Sequence, residues 1–245
     1  MARPSKEQRL ASIHQEALTE FDNIQSALRD ERLQCLQDRR FYSIAGAQWE
    51  GPLGNQFENK PKFEVNKIML SVIRIINEYR NNRISVNFVS KEGEDADDLA
   101  DTCASLYRAD EQDSTAEEAY DNAFEEAVAG GFGGFRFCAD YEDDGDEEND
   151  RQRIEIEPIF DADQVLFFDP AARRKDKADA RWAILLTPMA RDAYKAEYGE
   201  DGNDFKRVTV SPSGFTWVTP DVVYIAEYYV KQDVAENFRV FEDLQ

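Results

Sequence analysis

The first forty residues have the apolar spacing of an amphipathic helix. Apolar side chains recur at alternating steps of three and four residues, at Leu10, Ile13, Ala17, Phe21, Ile24 and Leu28. This spacing places them on one helical face, and the remaining positions are mostly polar or charged. We therefore predict an N-terminal amphipathic helical segment over residues 1–40, with the helix itself over 8–40. Its narrow apolar stripe should be buried against a larger body or a neighbouring chain.

The remainder, residues 41–245, is predicted to form one domain whose helical part spans about 61–130. Glycines and a proline over 44–60 indicate a loop. Helices are then expected over 61–81, 95–110 and 114–129. Pro61 suits the first turn of the first of these helices. Ser114, with Glu117 three residues later, has the capping-box spacing for the start of the third.

From about residue 131 the pattern changes to the short runs that are typical of strands. Strands are predicted over 135–141, 154–156, 165–168, 180–186 and 222–230. One more is predicted over Ile84–Phe88, where apolar and polar residues alternate. Thr187-Pro188 is expected to open a short helix that ends at Gly199. Helices followed by strands indicate an α+β fold, in which N-terminal helices pack on a mostly antiparallel β-sheet.

Composition excludes several functional classes. The 245 residues include 29 basic and 51 acidic side chains, for a net charge of −22, so tight binding to a nucleic-acid backbone is not expected. No run approaches the roughly 18 apolar residues of a membrane-spanning helix. The single histidine, His14, and the dispersed cysteines, Cys35, Cys103 and Cys138, offer neither a catalytic triad nor a zinc site. We predict no cofactor, no metal and no catalytic site.

Two acidic clusters leave alternatives open. Asp140–Asp150 contains eight carboxylates in eleven residues and begins like an EF-hand loop, but Arg151 stands where the bidentate glutamate belongs. An acidic calcium-binding adaptor is one alternative, and a solvated hairpin loop is the simpler interpretation. Glu157, Asp161 and Asp163 are candidate ligands of a metal-dependent nuclease. The sequence lacks the carboxylate–x–lysine pair usual beside such sites, which argues against this second alternative.

Short motifs with a distinctive order are spread over residues 45–230. They are Gln48-Trp49, Asn66-Lys67-Ile68, Asn82-Arg83-Ile84, Lys91-Glu92-Gly93, Leu106-Tyr107-Arg108, Glu126–Gly133, Ala139–Asp143, Glu157-Pro158-Ile159, Asp169-Pro170, Asp176–Arg181, Thr219-Pro220-Asp221 and Ile225–Tyr229. Their order and spacing resemble the N-terminal part of the portal proteins of P22-like tailed bacteriophages. No single motif is diagnostic, and the collinear order carries the resemblance.

The resemblance implies a structural protein. Portal proteins of this kind form a ring of typically about twelve subunits at one capsid vertex, and double-stranded DNA passes through the ring during packaging and ejection. The matched segment corresponds to the wing, so the chain is expected to lack the family's stem, clip and barrel. Implied partners are other copies of the chain, coat and scaffolding proteins, terminase, tail adaptors and DNA in transit, without any membrane. The implied location is the portal vertex of the virion, after assembly in the bacterial cytoplasm.

One basic island interrupts the acidic chain and consists of Arg173, Arg174, Lys175 and Lys177. In a closed ring, one face of each subunit meets a different face of the next. Strongly acidic subunits repel each other unless charges pair locally at this contact. We therefore expect the island at a subunit boundary, facing acidic residues of the adjacent chain, and a solvated loop is the alternative. The acidic residues expected opposite it are Asp143, Asp144, Asp146 and Glu147.

Overall fold

A computed structural model describes residues 5–90, 97–141, 151–199 and 214–232. These residues form an α+β fold, as predicted, with helices and two antiparallel sheets. The helices are α1 (Lys6–Ala27), α2 (Arg29–Ser43), α3 (Pro52–Gln56), α4 (Lys67–Asn81), α5 (Asp97–Asp113), α6 (Ala116–Gly130), α7 (Ala162–Val165) and α8 (Arg191–Tyr198). The strands are β1 (Gly134–Tyr141), β2 (Gln152–Ile159), β3 (Leu166–Phe168), β4 (Trp182–Ala190) and β5 (Val222–Val230).

The chain divides into two compact units. The first combines residues 1–27 with 167–245, and the second is formed by residues 28–166. The helix predicted over 8–40 is interrupted at the same place, because α1 ends at Ala27 and α2 begins at Arg29. Neither glycine nor proline stands at the break, so no local signal in the sequence marks it. The division into a segment over 1–40 and a domain over 41–245 stays a prediction.

The first unit packs helix α1 on a three-stranded sheet. The strands lie in the order β3, β4, β5. β4 and β5 pair antiparallel along their whole length, from Trp182 opposite Val230 to Ala190 opposite Val222. Ile184 in the middle of β4 is 1% exposed. The predicted strand over 222–230 is confirmed with the same bounds, because its run of β-branched and aromatic residues meets a partner strand of matching length.

An aromatic cluster around Phe21 joins α1 to this sheet. The centre of the Phe21 ring lies 5.2 Å from that of Phe167 on β3, 5.1 Å from Phe215 and 4.8 Å from Trp217. Phe21 and Ile24 are each 1% exposed. Burial of the predicted stripe is therefore confirmed in its second half. The stripe is exposed in its first half, at Leu10 and Ile13.

The second unit packs helices against the β1–β2 hairpin. β1 and β2 pair antiparallel from Gly134 opposite Ile159 to Tyr141 opposite Gln152. Ala116 and Ala119 of α6 are fully buried against Ile156 of β2, since small side chains let the helix approach the sheet closely. The turn that leads into β1 lies just as close to α6. A Cβ atom at Gly133 would stand 2.0 Å from the carbonyl oxygen of Ala123, so only glycine fits there.

Two predicted helix starts are wrong, and side-chain hydrogen bonds explain both. α4 begins at Lys67 and not at Pro61, because the Asn66 side chain caps it by accepting a hydrogen bond from the Met69 amide at 2.8 Å. The capping box at Ser114 and Glu117 does not form. The Ser114 hydroxyl instead donates to the Asp110 carbonyl at 2.6 Å, at the end of the preceding helix.

One predicted strand and one further predicted helix start also need correction. Among the described residues, nothing pairs with Ile84–Phe88, so no strand forms there. Thr187 and Pro188 do not open a helix, since β4 continues through both. β3 is only three residues long and meets β4 at its start, where the Asp169 amide donates to the Trp182 carbonyl. Opposite Pro188 on β5, the Tyr224 amide donates to the Trp217 carbonyl and not to β4, so this pair has no ladder hydrogen bond that the missing proline N–H could remove.

Replacing Phe21 with alanine is expected to destabilise the protein by about 3–5 kcal/mol, because it leaves a cavity within the aromatic cluster. Urea denaturation followed by tryptophan fluorescence measures this loss, since Trp217 lies in the same cluster. The matched control is Leu10→Ala on the same helix, where the side chain is 56% exposed. That change should stay within about 0.5 kcal/mol of the wild type. Equal losses in the two variants would contradict a central role for Phe21.

Candidate functional site

The basic island lies on the loop that joins β3 to β4, residues 169–181. Arg173, Arg174 and Lys175 are exposed, and Lys177 is half-buried. Lys177 has a positive φ of 53°, a conformation that side-chain-bearing residues adopt only when their surroundings enforce it. The island thus lies on an exposed loop between two strands. Whether it lies at a subunit boundary stays a prediction.

A buried carboxylate closes the base of this loop. Asp169 is 3% exposed and accepts hydrogen bonds from Arg181 Nε at 2.8 Å and from the Ala171 amide at 2.9 Å. The first and last residues of the loop are thereby joined. The bond from Arg181, followed by the amide bonds, lowers the pKa of Asp169 below its ordinary value against the opposing effect of burial.

Further carboxylates fix the path of the loop. Asp179 accepts hydrogen bonds from the backbone amides of Arg173 at 2.7 Å and Arg174 at 3.2 Å, and these bonds lower the pKa of Asp179. The Arg174 guanidinium pairs with Asp176 at 2.6 Å. Lys177 donates from Nζ to the Ala172 carbonyl at 3.3 Å. Two of the four cations of the island thus have partners within the loop.

The other two cations of the island point to no partner within the described part of the chain. The side chains of Arg173 and Lys175 take part in no hydrogen bond or ion pair with described residues. Asp179 nevertheless fixes the backbone at Arg173 and at Arg174, the residue before Lys175. The loop therefore presents two charges in a defined position, which is suited to recognising a carboxylate on another molecule.

The acidic residues expected opposite the island lie outside the described residues. This applies to Asp143, Asp144, Asp146 and Glu147, and to most of the cluster 140–150 that resembles a calcium loop. The facing of the two clusters and the calcium alternative both stay predictions. In the described ranges, no group of three or more histidine, cysteine, aspartate or glutamate side chains is arranged to hold a metal ion.

The carboxylates of the nuclease alternative are engaged by arginines. Asp163 is 3% exposed and pairs with Arg39 at 2.6 Å. Asp161 pairs with the same guanidinium at 2.7 Å. Glu157 lies elsewhere, on β2, and pairs with Arg136 at 2.6 Å. The structure thus brings together two of the three proposed ligands, but it uses them in ion pairs.

Sequence analysis missed the other members of this network. Glu126 on α6 accepts hydrogen bonds from the amides of Asp161 at 2.7 Å and Ala162 at 2.9 Å. Arg32, one heptad before Arg39 on α2, donates to the carbonyls of Asp163 and Leu166. The seven-residue spacing, which puts both arginines on one face of α2, was the available signal. Burial raises the pKa of Glu126 and lowers that of Arg32 to about 10, so Arg32 remains charged at neutral pH.

Neither the thiol of Cys35 nor the apolar groove lined by His14 offers a catalytic arrangement. Burial raises the pKa of the Cys35 thiol to about 11, so it stays protonated at neutral pH. An apolar groove of 780 Å³ lies within the first unit, beside α1 and β5. His14 lines it, but its described lining contains no carboxylate or cysteine with which a histidine could act.

No described helix combines the length and apolar character needed to cross a bilayer.

Acid is expected to loosen the 169–181 loop. Because the folded-state pKa values of Asp169 and Asp179 are lowered, their stabilising effect is present above about pH 4 and is lost as the pH falls through the lowered values. An NMR pH titration of the Arg173 and Arg174 amides should give midpoints below about 3.9, the ordinary aspartate value. In Asp179→Asn this transition should vanish. Midpoints at or above the ordinary value would contradict the role of Asp179.

Comparison with known proteins matches nearly the whole sequence. Residues 18–244 fit the family model of the phage P22-like portal protein. A curated relative, the "Portal protein" of Acyrthosiphon pisum secondary endosymbiont phage 1, is 39% identical over 226 residues, which are 90% of this chain and 31% of that protein. The chain thus spans less than a third of the length of this relative. It belongs to the family of P22-like phage portal proteins.

Proposed function

We propose that this protein is a structural subunit of the portal vertex of a bacteriophage virion. Copies of it form a closed ring, typically of about twelve subunits, through which double-stranded DNA enters and leaves the capsid. The observation that carries this proposal is the family match over residues 18–244. The relative named as a portal protein supports it over the same region. Electron microscopy of the purified protein tests it, since rings with a central channel are the expected result.

The charge of the chain suits passage of DNA without retention. A net charge of −22 repels phosphate groups, and a channel wall that bound them tightly would hold the DNA in place. The 169–181 loop has five cations, and three of them, Arg174, Lys177 and Arg181, have partners within the loop. The proposal therefore assigns the loop to contact between proteins and not to contact with DNA.

The island loop is proposed as one side of the contact between neighbouring subunits. The side chains of Arg173 and Lys175 are exposed and have no described partner, and Asp179 holds the backbone amides of Arg173 and Arg174. The acidic residues 143–147 of the adjacent subunit are the proposed partners. Each exposed pair contributes only about 0–1 kcal/mol, so the contact depends on the cluster as a whole and weakens with salt.

The remaining partners follow from the portal role. Coat and scaffolding proteins would meet the outside of the ring, while terminase and tail adaptors would bind through other parts of a portal subunit. Assembly would take place in the cytoplasm of the bacterial host. The chain itself is proposed to be non-catalytic, because the described carboxylates of the nuclease alternative are held in ion pairs with arginines.

Reversing the two unpaired charges, in Arg173→Glu with Lys175→Glu, should reduce ring formation at low salt. The monomer should keep its thermal midpoint, because neither side chain has a described partner. Ring content measured by analytical ultracentrifugation at about 50 mM and 500 mM salt should differ from wild type mainly at the lower value. Lys6→Glu with Arg9→Glu on α1 changes the net charge equally and is the matched control. Equal effects of the two pairs would show that only net charge matters.

The protein is expected to leave plasmid DNA intact in the presence of Mg²⁺ or Mn²⁺. Gel electrophoresis after prolonged incubation with excess protein checks this. Cleavage that disappears in Asp161→Asn would instead support the nuclease alternative. Asp161 is the informative position because its side chain is 58% exposed, so its loss should disturb the fold far less than loss of the buried Asp163.

A further inference from the structure

Residues 84–89 form an exposed segment that has the sequence pattern of a strand but pairs with no other strand among the described residues. Ile84, Val86 and Phe88 alternate with Ser85 and Asn87, which is the pattern of a half-buried strand. In the described part of the chain, none of residues 84–89 takes part in a backbone hydrogen bond. The segment therefore has free backbone donors and acceptors as well as apolar side chains in water.

The exposure of this segment is large for such residues. Ile84 is 86% exposed and Val89 is 85% exposed. Phe88 is anchored at 5.9 Å from the ring of Tyr107 on α5, so the segment is held to its own subunit at one end. Burying the other apolar side chains would be favourable by about 25 cal/mol for each Å² removed from water. A neighbouring strand would bury them and pair the backbone at the same time.

A complementary edge is present on the β1–β2 hairpin. Phe137 of β1 and Ile156 of β2 lie opposite each other and therefore on the same face of the sheet. Ile156 is 2% exposed because α6 covers it, whereas Phe137 is 60% exposed. The apolar face of the hairpin is thus covered by α6 at Ile156 and exposed to solvent at Phe137. Among the described strands, only β2 pairs with β1.

We propose that residues 84–89 of one subunit add as a strand beside β1 of a second copy of this chain. Ile84, Val86 and Phe88 would then extend the open apolar layer beside Phe135 and Phe137. Aromatic and β-branched side chains on adjacent strands stabilise each other. Donor and acceptor are different surfaces, so repetition of the contact gives a head-to-tail ring. This inference rests on the proposed function, which supplies the second copy.

Charge favours the same partner. Residues 79–91 contain three basic and no acidic side chains, and two of the basic ones, Arg80 and Arg83, pair with Asp121 of the same chain. The sequence at the end of β1 and after it, residues 140–150, contains eight acidic and no basic side chains. In a chain of net charge −22, a donor segment without acidic side chains can approach such an acidic stretch with less repulsion than the rest of the chain. The contact is separate from the island loop, which belongs to the other compact unit.

A disulfide test uses a cysteine already present on β1. Cys138 lies on the face of the sheet opposite to Phe137, so in the proposed pairing it neighbours Ser85 and Asn87 of the next subunit. Adjacent strands bring Cα atoms to about 4.5–5.5 Å, which is within disulfide range. Under mild oxidation, Asn87→Cys or Ser85→Cys should therefore give a ladder of covalent oligomers on a non-reducing gel. The two positions allow for either register.

Two controls make the cross-linking specific. Val86→Cys places the thiol on the opposite face and should give at most a trace of the ladder. Adding Cys138→Ser to Asn87→Cys should abolish the ladder. Cross-links that persist without Cys138, or equal cross-linking at position 86, would overturn the proposal.

A proline variant tests the backbone pairing separately. Val86→Pro removes one N–H that has no described partner in the monomer, so the thermal midpoint of the monomer should stay unchanged. Ring formation should then need at least about tenfold more protein, which corresponds to about 1.4 kcal/mol. Val86→Thr keeps the N–H and the branched side chain and should assemble like the wild type.

The outcomes separate this inference from the portal role. Wild-type rings, with normal assembly of Val86→Pro and no ladder from either cysteine variant, would overturn strand addition while the portal role stands. A wild-type protein that forms no ring at any concentration would contradict the portal role. Strand addition would then fail as well unless the ladder still formed through Cys138.

Discussion

The ion pairs of Arg39 are the constraint on which the second unit depends. One guanidinium on α2 binds Asp163 at 2.6 Å and Asp161 at 2.7 Å. Glu126 on α6 accepts hydrogen bonds from the backbone amides at the start of α7. Helices α2, α6 and α7, which are distant in sequence, therefore meet at one polar centre. Asp163 and Glu126 are the buried members of this centre, and leaving a buried charge without its partner typically costs about 3–5 kcal/mol. Arginines of the acidic chain thus join elements that are distant in sequence.

The same centre bears on chemistry. Clustered aspartates in a sequence suggest metal binding, but in the folded protein their role depends on whether arginine or lysine side chains already pair with them. Arg39 reaches Asp161 and Asp163, and Arg136 reaches Glu157. Comparable carboxylates in the 169–181 loop bind backbone amides and arginines of the loop itself. In both places the described acidic residues organise backbone and cations, which agrees with a structural role.

Local patterns predicted the elements whose signals are local. The strand over 222–230 was predicted with its observed bounds because a run of β-branched and aromatic residues marks it. The end of α8 is marked by Gly199, which takes the left-handed conformation. The start of α4 was misplaced because the Asn66 cap is a stronger signal than Pro61. Pairing of Arg39 with residues more than 120 positions away has no local signature. The same holds for Ile84–Phe88, which pairs with no strand among the described residues, since a strand requires a second strand that its own sequence does not specify.

The closure of the 169–181 loop by Asp169 and Arg181 separates its tip from the sheet that carries it. The hydrogen bond from Arg181 to Asp169 joins the end of β3 to the start of β4. The residues at the tip of the loop are therefore not needed to hold β3 and β4 together. Substitutions at Arg173 or Lys175 can therefore accumulate with little penalty to folding. Related phages could diverge at this tip, each subunit adapting to the matching surface of its own neighbour, while the supporting sheet stays the same. Subunits from two such phages would then fold equally well and yet fail to assemble into mixed rings.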